Sequence, residues 1–289
     1  MSNSKINNID LTNAKRPKTK DIVVRDEYGQ TREFPITGEL PLTIFVNKKE
    51  IVTLMTLGHY PESLVIGYLR NQGFIESLDE LISVHVDWDT NSAAVKTSSN
   101  VESWENKLTH KIVTSGCGQG TTFSGVWDEI KNKKIEGDKL KQSSIYKILK
   151  LLHDKNEIYR QSGAVHGCAL CDKEKIIDFV EDVGRHNAVD AIAGNMWLDD
   201  IKSTDKIFYT TGRLTSEMVI KVAQMEIPYL ISRSGITEMG LTVAQETGVT
   251  LMGRAKGKHF LIYNGSENIE FDDKPEPRPV NAPDIWKRR

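Results

Sequence analysis

Between residues 164 and 263, apolar runs of strand length alternate with longer runs of helix length, and no other feature limits the fold as much. Segments 164–170 and 175–180 read as two strands joined by Cys171-Asp-Lys-Glu174. A helix follows at 187–198, then a strand at 207–210, a helix at 216–225, a strand at 229–232, a helix at 239–246 and strands at 249–252 and 259–263. Strands that alternate with helices demand crossover connections and a largely parallel sheet with helices on its faces. The opening hairpin makes the sheet mixed. The expected fold class is therefore α/β, a three-layer mixed sheet over residues 110–266.

The residues before it read differently. Strand candidates at 22–24, 33–36, 42–46 and 51–55 surround the polar turn Asn47-Lys-Lys-Glu50, a hairpin signal. Pro61 opens a helix-like run whose Leu64, Val65, Tyr68 and Leu69 share one stripe, and Gly73 suits its stop. Ile82, Val84, Val86 and Trp88 then alternate with polar residues as a half-buried strand. We expect a smaller strand-rich N-terminal domain at 21–109, preceded by a mobile arm at 1–20. The segment 267–289 holds four of the nine prolines and reads as an extended tail.

In a sheet of this kind, ligands bind beyond the carboxyl ends of the strands. Four successive ends carry an arginine beside a glycine: Gly184-Arg-His-Asn187, Thr211-Gly-Arg213, Ser232-Arg-Ser-Gly235 and Gly253-Arg-Ala-Lys-Gly257. Glycine lets backbone approach a ligand, and arginine meets phosphate as a planar fork. Any one such loop is an ordinary turn. Four on one rim point to an anionic, phosphate-bearing ligand. Neither a P-loop nor a dinucleotide fingerprint is present. Glu181 and Asp182 sit beside the first loop, able to accept from a base or ribose or to fix Arg185, with a salt bridge the expected role of at least one.

Three cysteines form an odd set. Cys117 lies among Gly116, Gly118 and Gly120, where packing does not call for a cysteine. A thiol on a mobile loop suits the carriage of sulfur between two sites, and a positive rim nearby would favour its thiolate. Cys168 and Cys171 form a C-x-x-C on an apolar strand. With His166 they would hold a metal only if Cys171 has entered the turn, and small buried thiols are the expected reading.

The chain resembles the FdhD family, the formate dehydrogenase accessory sulfurtransferases. The resemblance rests on Glu181-Asp-Val-Gly-Arg-His-Asn-Ala-Val-Asp190, Thr211-Gly-Arg-Leu-Thr-Ser-Glu-Met-Val219, Ile231-Ser-Arg-Ser-Gly235 and Gly253-Arg-Ala-Lys-Gly257, and covers about 22–265. It implies a cytidine-deaminase-like α/β domain, a homodimer and a sulfurtransferase acting by persulfide relay. Persulfide sulfur is taken from a cysteine desulfurase and passed to the molybdenum cofactor, a bis-molybdopterin guanine dinucleotide, for formate dehydrogenase. The resemblance places the persulfide carrier at Cys117. The guanine nucleotides of that cofactor fit the basic strand ends read above, with Arg185, His186, Asn187, Arg213, Arg233, Ser234, Arg254 and Lys256, and the family's late cofactor-binding segment falls on Phe260, Leu261, Ile262, Tyr263, Asn264 and Gly265. One departure stands out: the family's loop carries two cysteines, whereas Cys117-Gly-Gln-Gly120 has one, which excludes a two-thiol relay there.

Two other functions compete with this one. The first is a cofactor-binding chaperone with no covalent sulfur step. The second is a zinc hydrolase or deaminase on His166, Cys168 and Cys171, although the His-x-Glu and Pro-Cys-x-x-Cys signature of zinc deaminases is missing. A net charge of −2 and a pI near 6.4 argue against a broad nucleic-acid surface. No apolar run is long enough for a membrane span, and the first residues lack the apolar core of a signal peptide, so a cytoplasmic protein without a bound metal is expected.

Overall fold

Short connections set the first sheet. The structure, a computed structural model, describes residues 9–98, 112–113, 120–121, 130–131 and 133–276. Strands β1 (Asp10–Leu11), β2 (Thr19–Arg25), β3 (Thr31–Thr37), β4 (Leu40–Val46) and β5 (Lys49–Thr56) lead to helix α1 (Pro61–Asn71), and β6 (Leu81–Asp87) and β7 (Ser92–Thr97) follow. Asn47 and Lys48, at φ 45° and 73°, make the two-residue turn that joins β4 to β5, and positive φ at both positions matches the twist of the flanking strands. These strands form a five-stranded sheet in the order β1-β6-β7-β4-β5, with β2 and β3 as a separate hairpin. Pro61 opens α1, and Gly73 just beyond it takes the left-handed φ of 66° that ends a helix.

After the short pair β8 (Ile112–Val113) and β9 (Gly120–Thr121), the chain forms β10 (Leu140–Lys141), α2 (Gln142–His153), α3 (Glu157–Ser162), β11 (His166–Cys171), β12 (Ile176–Asp182), α4 (Arg185–Leu198), β13 (Ile207–Thr210), α5 (Ser216–Gln224), β14 (Tyr229–Ser232), α6 (Glu238–Thr247), β15 (Thr250–Lys256), β16 (His259–Asn264) and β17 (Ile269–Glu270). The main sheet has six strands in the order β12-β11-β13-β14-β15-β16. β13, β14 and β15 run parallel and the other neighbours antiparallel, so the sheet is mixed as expected. Every residue of β13 and β14 is buried, the mark of strands covered on both faces. Cys168 and Leu170 pack with α4, α5 and α6, while Ala169 and Cys171 pack with α2 on the other face.

α4 is buried from Arg185 to Gly194 and so has no solvent face along most of its length. It crosses α1 at Gly67 and Gly194. A Cβ on Gly67 would collide with the Asp190 carbonyl, and one on Gly194 with the Ser63 carbonyl. This backbone-to-backbone approach joins Leu42, Ile44 and Val84 of the first sheet to Val189 and Ile192 of α4 and Phe208 of the second sheet in one apolar core.

Both ends of the chain correct the sequence reading. The arm expected to be mobile through residue 20 is held from residue 9 onward. β1 pairs with β6, Thr12 Oγ1 and Ala14 N donate to Glu62 Oε1 at 2.9 and 2.6 Å, and Trp88 Nε1 donates to the Ala14 carbonyl at 2.6 Å. The cause is the buried Glu62 carboxylate in the first turn of α1, which needs the donors that the arm supplies. At the other end, β17 pairs with β10, and Asp272 accepts from Ser143 N and Oγ at 2.9 and 2.6 Å to cap α2. No helix among the described residues is long and apolar enough to cross a membrane.

Candidate functional site

The parallel register of β13 and β14 sets Thr210 beside Ser232. β11 runs opposite to β13, so its first residue, His166, arrives at the same end, next to Asp182 at the end of β12. The loops that leave these strands are stitched together. Thr211 N donates to the Gly167 carbonyl at 2.9 Å, and Gly167 N returns to Thr211 Oγ1 at 3.0 Å. Ser232 Oγ donates to the Gly212 carbonyl at 2.6 Å and accepts from Ser234 N at 2.9 Å. Arg254 N donates to the Ser234 carbonyl at 2.8 Å, with Arg254 itself at φ 52°. The hydroxyls at the strand ends thus close turns and leave the arginine heads for other work.

Three of those heads gather. Burial lowers the pKa of His166, and the charges of Arg185, Arg233 and Arg213 lower it further, so three guanidinium groups act on one imidazole at the sheet end and favour its neutral form. Arg185 is buried and lies across the end of β13, where a Cβ on Gly212 would come within 2.7 Å of its Cδ. Only glycine leaves room for it. Arg213 and Arg233 are exposed, and Arg233 stacks over Tyr159 at 5.2 Å. Arg254 is half-buried on the next strand, Ser234 is half-buried beside it, and Lys256 is exposed at the end of β15. This rim of fixed positive charge can hold a phosphate-bearing ligand.

Other expected site residues are elsewhere. Asn187 is 2% exposed and donates to the Met55 carbonyl at 2.6 Å and to Asp182 Oδ1 at 2.8 Å, which clamps β5 to β12 instead of facing a ligand. His186 is also 2% exposed, with Nε2 3.3 Å from Glu217 Oε2; burial, then the charges of Lys221 and Arg185, hold its pKa well below the ordinary value, so it is neutral. The expected salt bridge from Glu181 or Asp182 to Arg185 does not form. Asp182 accepts from Thr56 Oγ1, Leu57 N, Gly184 N and Asn187 Nδ2, and Glu181 accepts from Ile158 N and Tyr159 N at the start of α3. Backbone amides compete for these carboxylates because the burial leaves no water to satisfy them. The segment from Phe260 to Gly265 runs away from the rim. Leu261 pairs with Gly253 near it, but Asn264 pairs with Leu251 at the far end and donates to the Ala244 and Val249 carbonyls. Phe260, Leu261 and Ile262 border a cavity of about 260 Å³ shared with Tyr146, Lys258 and Phe271, Tyr263 packs on Gly253, and Gly265 takes φ +78°.

Cys168 and Cys171 are fully buried, with thiols that burial pushes up to about 12. Cys171 lies in β11 and not in the turn, because β11 continues its pairing with Ile176 and Ile207 that far. The two sulfurs therefore face opposite cores and cannot close on one metal, and no group of three or more metal-ligating side chains exists among the described residues. Cys117 lies outside the described residues, between β8 and β9, which pair antiparallel. Sequence reasoning missed a buried ladder beneath the rim. Lys221 Nζ meets Asp190 Oδ2 at 2.6 Å, Asn71 Nδ2 donates to Asp190 Oδ1 at 2.8 Å, and His186 meets Glu217 one turn nearer the rim. Its signal was the four-residue spacing of His186 and Asp190 on one helix and of Glu217 and Lys221 on the next.

The family model of the FdhD/NarQ family matches residues 37–270. The chain belongs to the FdhD/NarQ family. Its relatives in the family include the sulfur carrier protein FdhD of Bacillus pumilus, 33% identical over 256 residues, which span 87% of this chain and 97% of that protein. The protein of the same name from Bacillus subtilis is 30% identical over 86% of this chain and 95% of its own length. Among solved structures, a candidate formate dehydrogenase accessory protein from Desulfotalea psychrophila aligns with a TM-score of 0.69 and 27% identity, over 87% of this chain and 98% of that one. The mixed α/β architecture described above is thus shared with a family neighbour along nearly its whole length.

Proposed function

We propose that this chain is a sulfur carrier that serves formate dehydrogenase. In this reading its cargo is the bis-molybdopterin guanine dinucleotide cofactor, and its sulfur comes from a cysteine desulfurase. The observation that carries the reading is that the strand ends of one sheet edge bring Arg185, Arg213 and Arg233 together, close enough for all three charges to act on His166. Such a rim suits the pyrophosphate groups of a nucleotide cargo, with Arg254 and Lys256 extending it along β15 and Phe260 and Leu261 bordering it. The names of the relatives, sulfur carrier proteins along nearly their full length, support the same role. Of the three cysteines, two are buried thiols with pKa values near 12, so the nucleophile is Cys117. Its thiolate attacks the outer sulfur of the desulfurase persulfide, expels the desulfurase thiolate and carries the sulfur as Cys117–S–SH. The protein works in the cytoplasm as a homodimer, on a cytidine-deaminase-like sheet with no deaminase metal.

The test is intact-mass measurement of wild type and Cys117→Ala after incubation with a cysteine desulfurase and cysteine. A reducible one-sulfur adduct on wild type alone is expected. The single-cysteine loop favours a second reading, a chaperone that shelters the cofactor without a covalent step. No adduct, together with retained binding of guanine nucleotide, would establish that reading in place of the relay.

A further inference from the structure

We propose that the outer edge of β2 is the seam along which two copies of this chain join, with β2 running antiparallel to β2 of the second copy about a twofold axis at Val23. The inference rests on the reading of the protein as a homodimer and adds to it the strand, the register and the residues. The hairpin of β2 and β3 forms a sheet of its own. Two strands alone are marginally stable in water. This pair nevertheless leaves Val23, Phe34 and Ile36 68%, 47% and 41% exposed. Apolar side chains on an open ribbon mark a site of association.

The two edges of the ribbon differ. Asp26 N donates to the Gln30 carbonyl at 3.1 Å, and the pairing runs without a bulge from Arg25 and Thr31 to Thr19 and Thr37. Hydrogen-bonded pairs alternate with non-bonded ones in such a ladder, so Val24 bonds with Arg32, Ile22 with Phe34 and Lys20 with Ile36. The backbone groups of Asp21, Val23 and Arg25, and those of Pro35 opposite Asp21, therefore point outward. Pro35 has no N–H to offer, which blunts the edge of β3. The edge of β2 carries no proline. Among the described residues nothing bonds the outward amides of Asp21, Val23 and Arg25. A strand edge of this kind accepts one more strand.

The charges on that edge select the partner. Asp21, Val23 and Arg25 share one face, and both charged side chains are exposed, with no ion pair among the described residues. Turned end for end about Val23, a second β2 sets Val23 against Val23, Ile22 against Val24, and each Asp21 against an Arg25. Unlike charges directly opposite one another stabilise a strand pair, and like charges weaken it. An axis at Asp21 would set that carboxylate against its own copy. An axis at Ile22 would set Asp21 against Val23 and Arg25 against Thr19. Of these registers, the one at Val23 matches charge with charge and apolar with apolar, so the strand is complementary to itself.

The test is sedimentation equilibrium of the full chain over a range of concentrations, with amide hydrogen exchange at Val23. It uses wild type, Val23→Pro, Asp21→Arg, Arg25→Asp and the double exchange of the last two. Val23→Pro removes the central N–H of the seam but no bond of the hairpin, because Val23 faces Glu33 in a non-bonded pair. Wild type should dimerise, its Val23 amide protected in the dimer and exchanging freely at dilutions that give monomer. Val23→Pro and each single reversal should weaken association by about tenfold or more, and the double exchange should return it to within about threefold of wild type. Weakening without that return would overturn the Val23 register. A dimer untouched by Val23→Pro and by the single reversals keeps the homodimer and removes the seam. A wild type that stays monomeric removes both. A Val23 amide protected in the monomer would mean that the chain covers this edge itself, and the seam falls.

Discussion

A thiol buried among aliphatic side chains is a poor nucleophile, and this sorts the cysteines. Cys168 donates to Thr210 Oγ1 at 3.3 Å inside one core, and Cys171 lies in the other. In the native protein an alkylating reagent should modify Cys117 alone, with Cys168 and Cys171 reacting only in denaturant; mass mapping of native protein that finds either buried thiol modified as fast as Cys117 would defeat the assignment. His186 sets a pH dependence. Its folded pKa lies well below its ordinary value of 6.5, so as pH falls the unfolded chain takes up the proton first. The stability it contributes is complete above about pH 6.5 and is lost as pH falls toward the folded value, at about 1.4 kcal/mol per pH unit. The histidines His59 and His166 shift in the same direction. Asp182 and Asp190, raised by burial, act with the opposite sign: their contribution is present below their ordinary value of 3.8 and is lost as pH rises through the folded one. The urea midpoint should therefore drop between pH 7 and pH 5.5, and His186→Gln should flatten that drop; an equal slope in the variant would show that His186 is not its source.

The crossing of α1 over α4 depends on two missing side chains. Ala at Gly67 must displace the Asp190 carbonyl and with it the whole of α4, so Gly67→Ala should destabilise the protein by about 3 kcal/mol, read from urea unfolding. A loss within the range of surface substitutions would mean that the helices separate easily. Elements of this kind were only partly legible in the sequence. Pro61 and Gly73 mark α1, and the alternation after residue 164 shows the strands and their order along the chain, because these signals are local. Asn187 could not be read in the same way. Its amide serves a carbonyl 132 residues away, and nothing near it in the sequence distinguishes that role from ligand binding. The start of α4 at Arg185 was also missed, since Gly184 supplies no capping side chain to announce it.

Across the whole molecule, the rim draws on four separate segments; Arg185, Arg213 and Arg233 were visible in the sequence because each follows a strand, whereas Arg254 lies within β15, which runs on to Lys256. That Arg185 is buried while Arg213 and Arg233 are exposed was not visible, since it depends on how α4 docks across β13. The arm was misread for a similar reason, its anchors lying in α1 and after β6. Removal of residues 1–20 should therefore lower the melting temperature relative to removal of residues 1–8, and equal melting of the two truncations would show that the anchors at Glu62 and Trp88 add nothing. The glycine-to-glycine crossing has one more consequence. The apolar core runs through the crossing without a break, so α1 of the first half and α4 of the second cover one another's inner faces. Fragments 1–98 and 112–289, made separately, would each present a notched apolar helix to water, and mixed together they should find one another and elute as a single species.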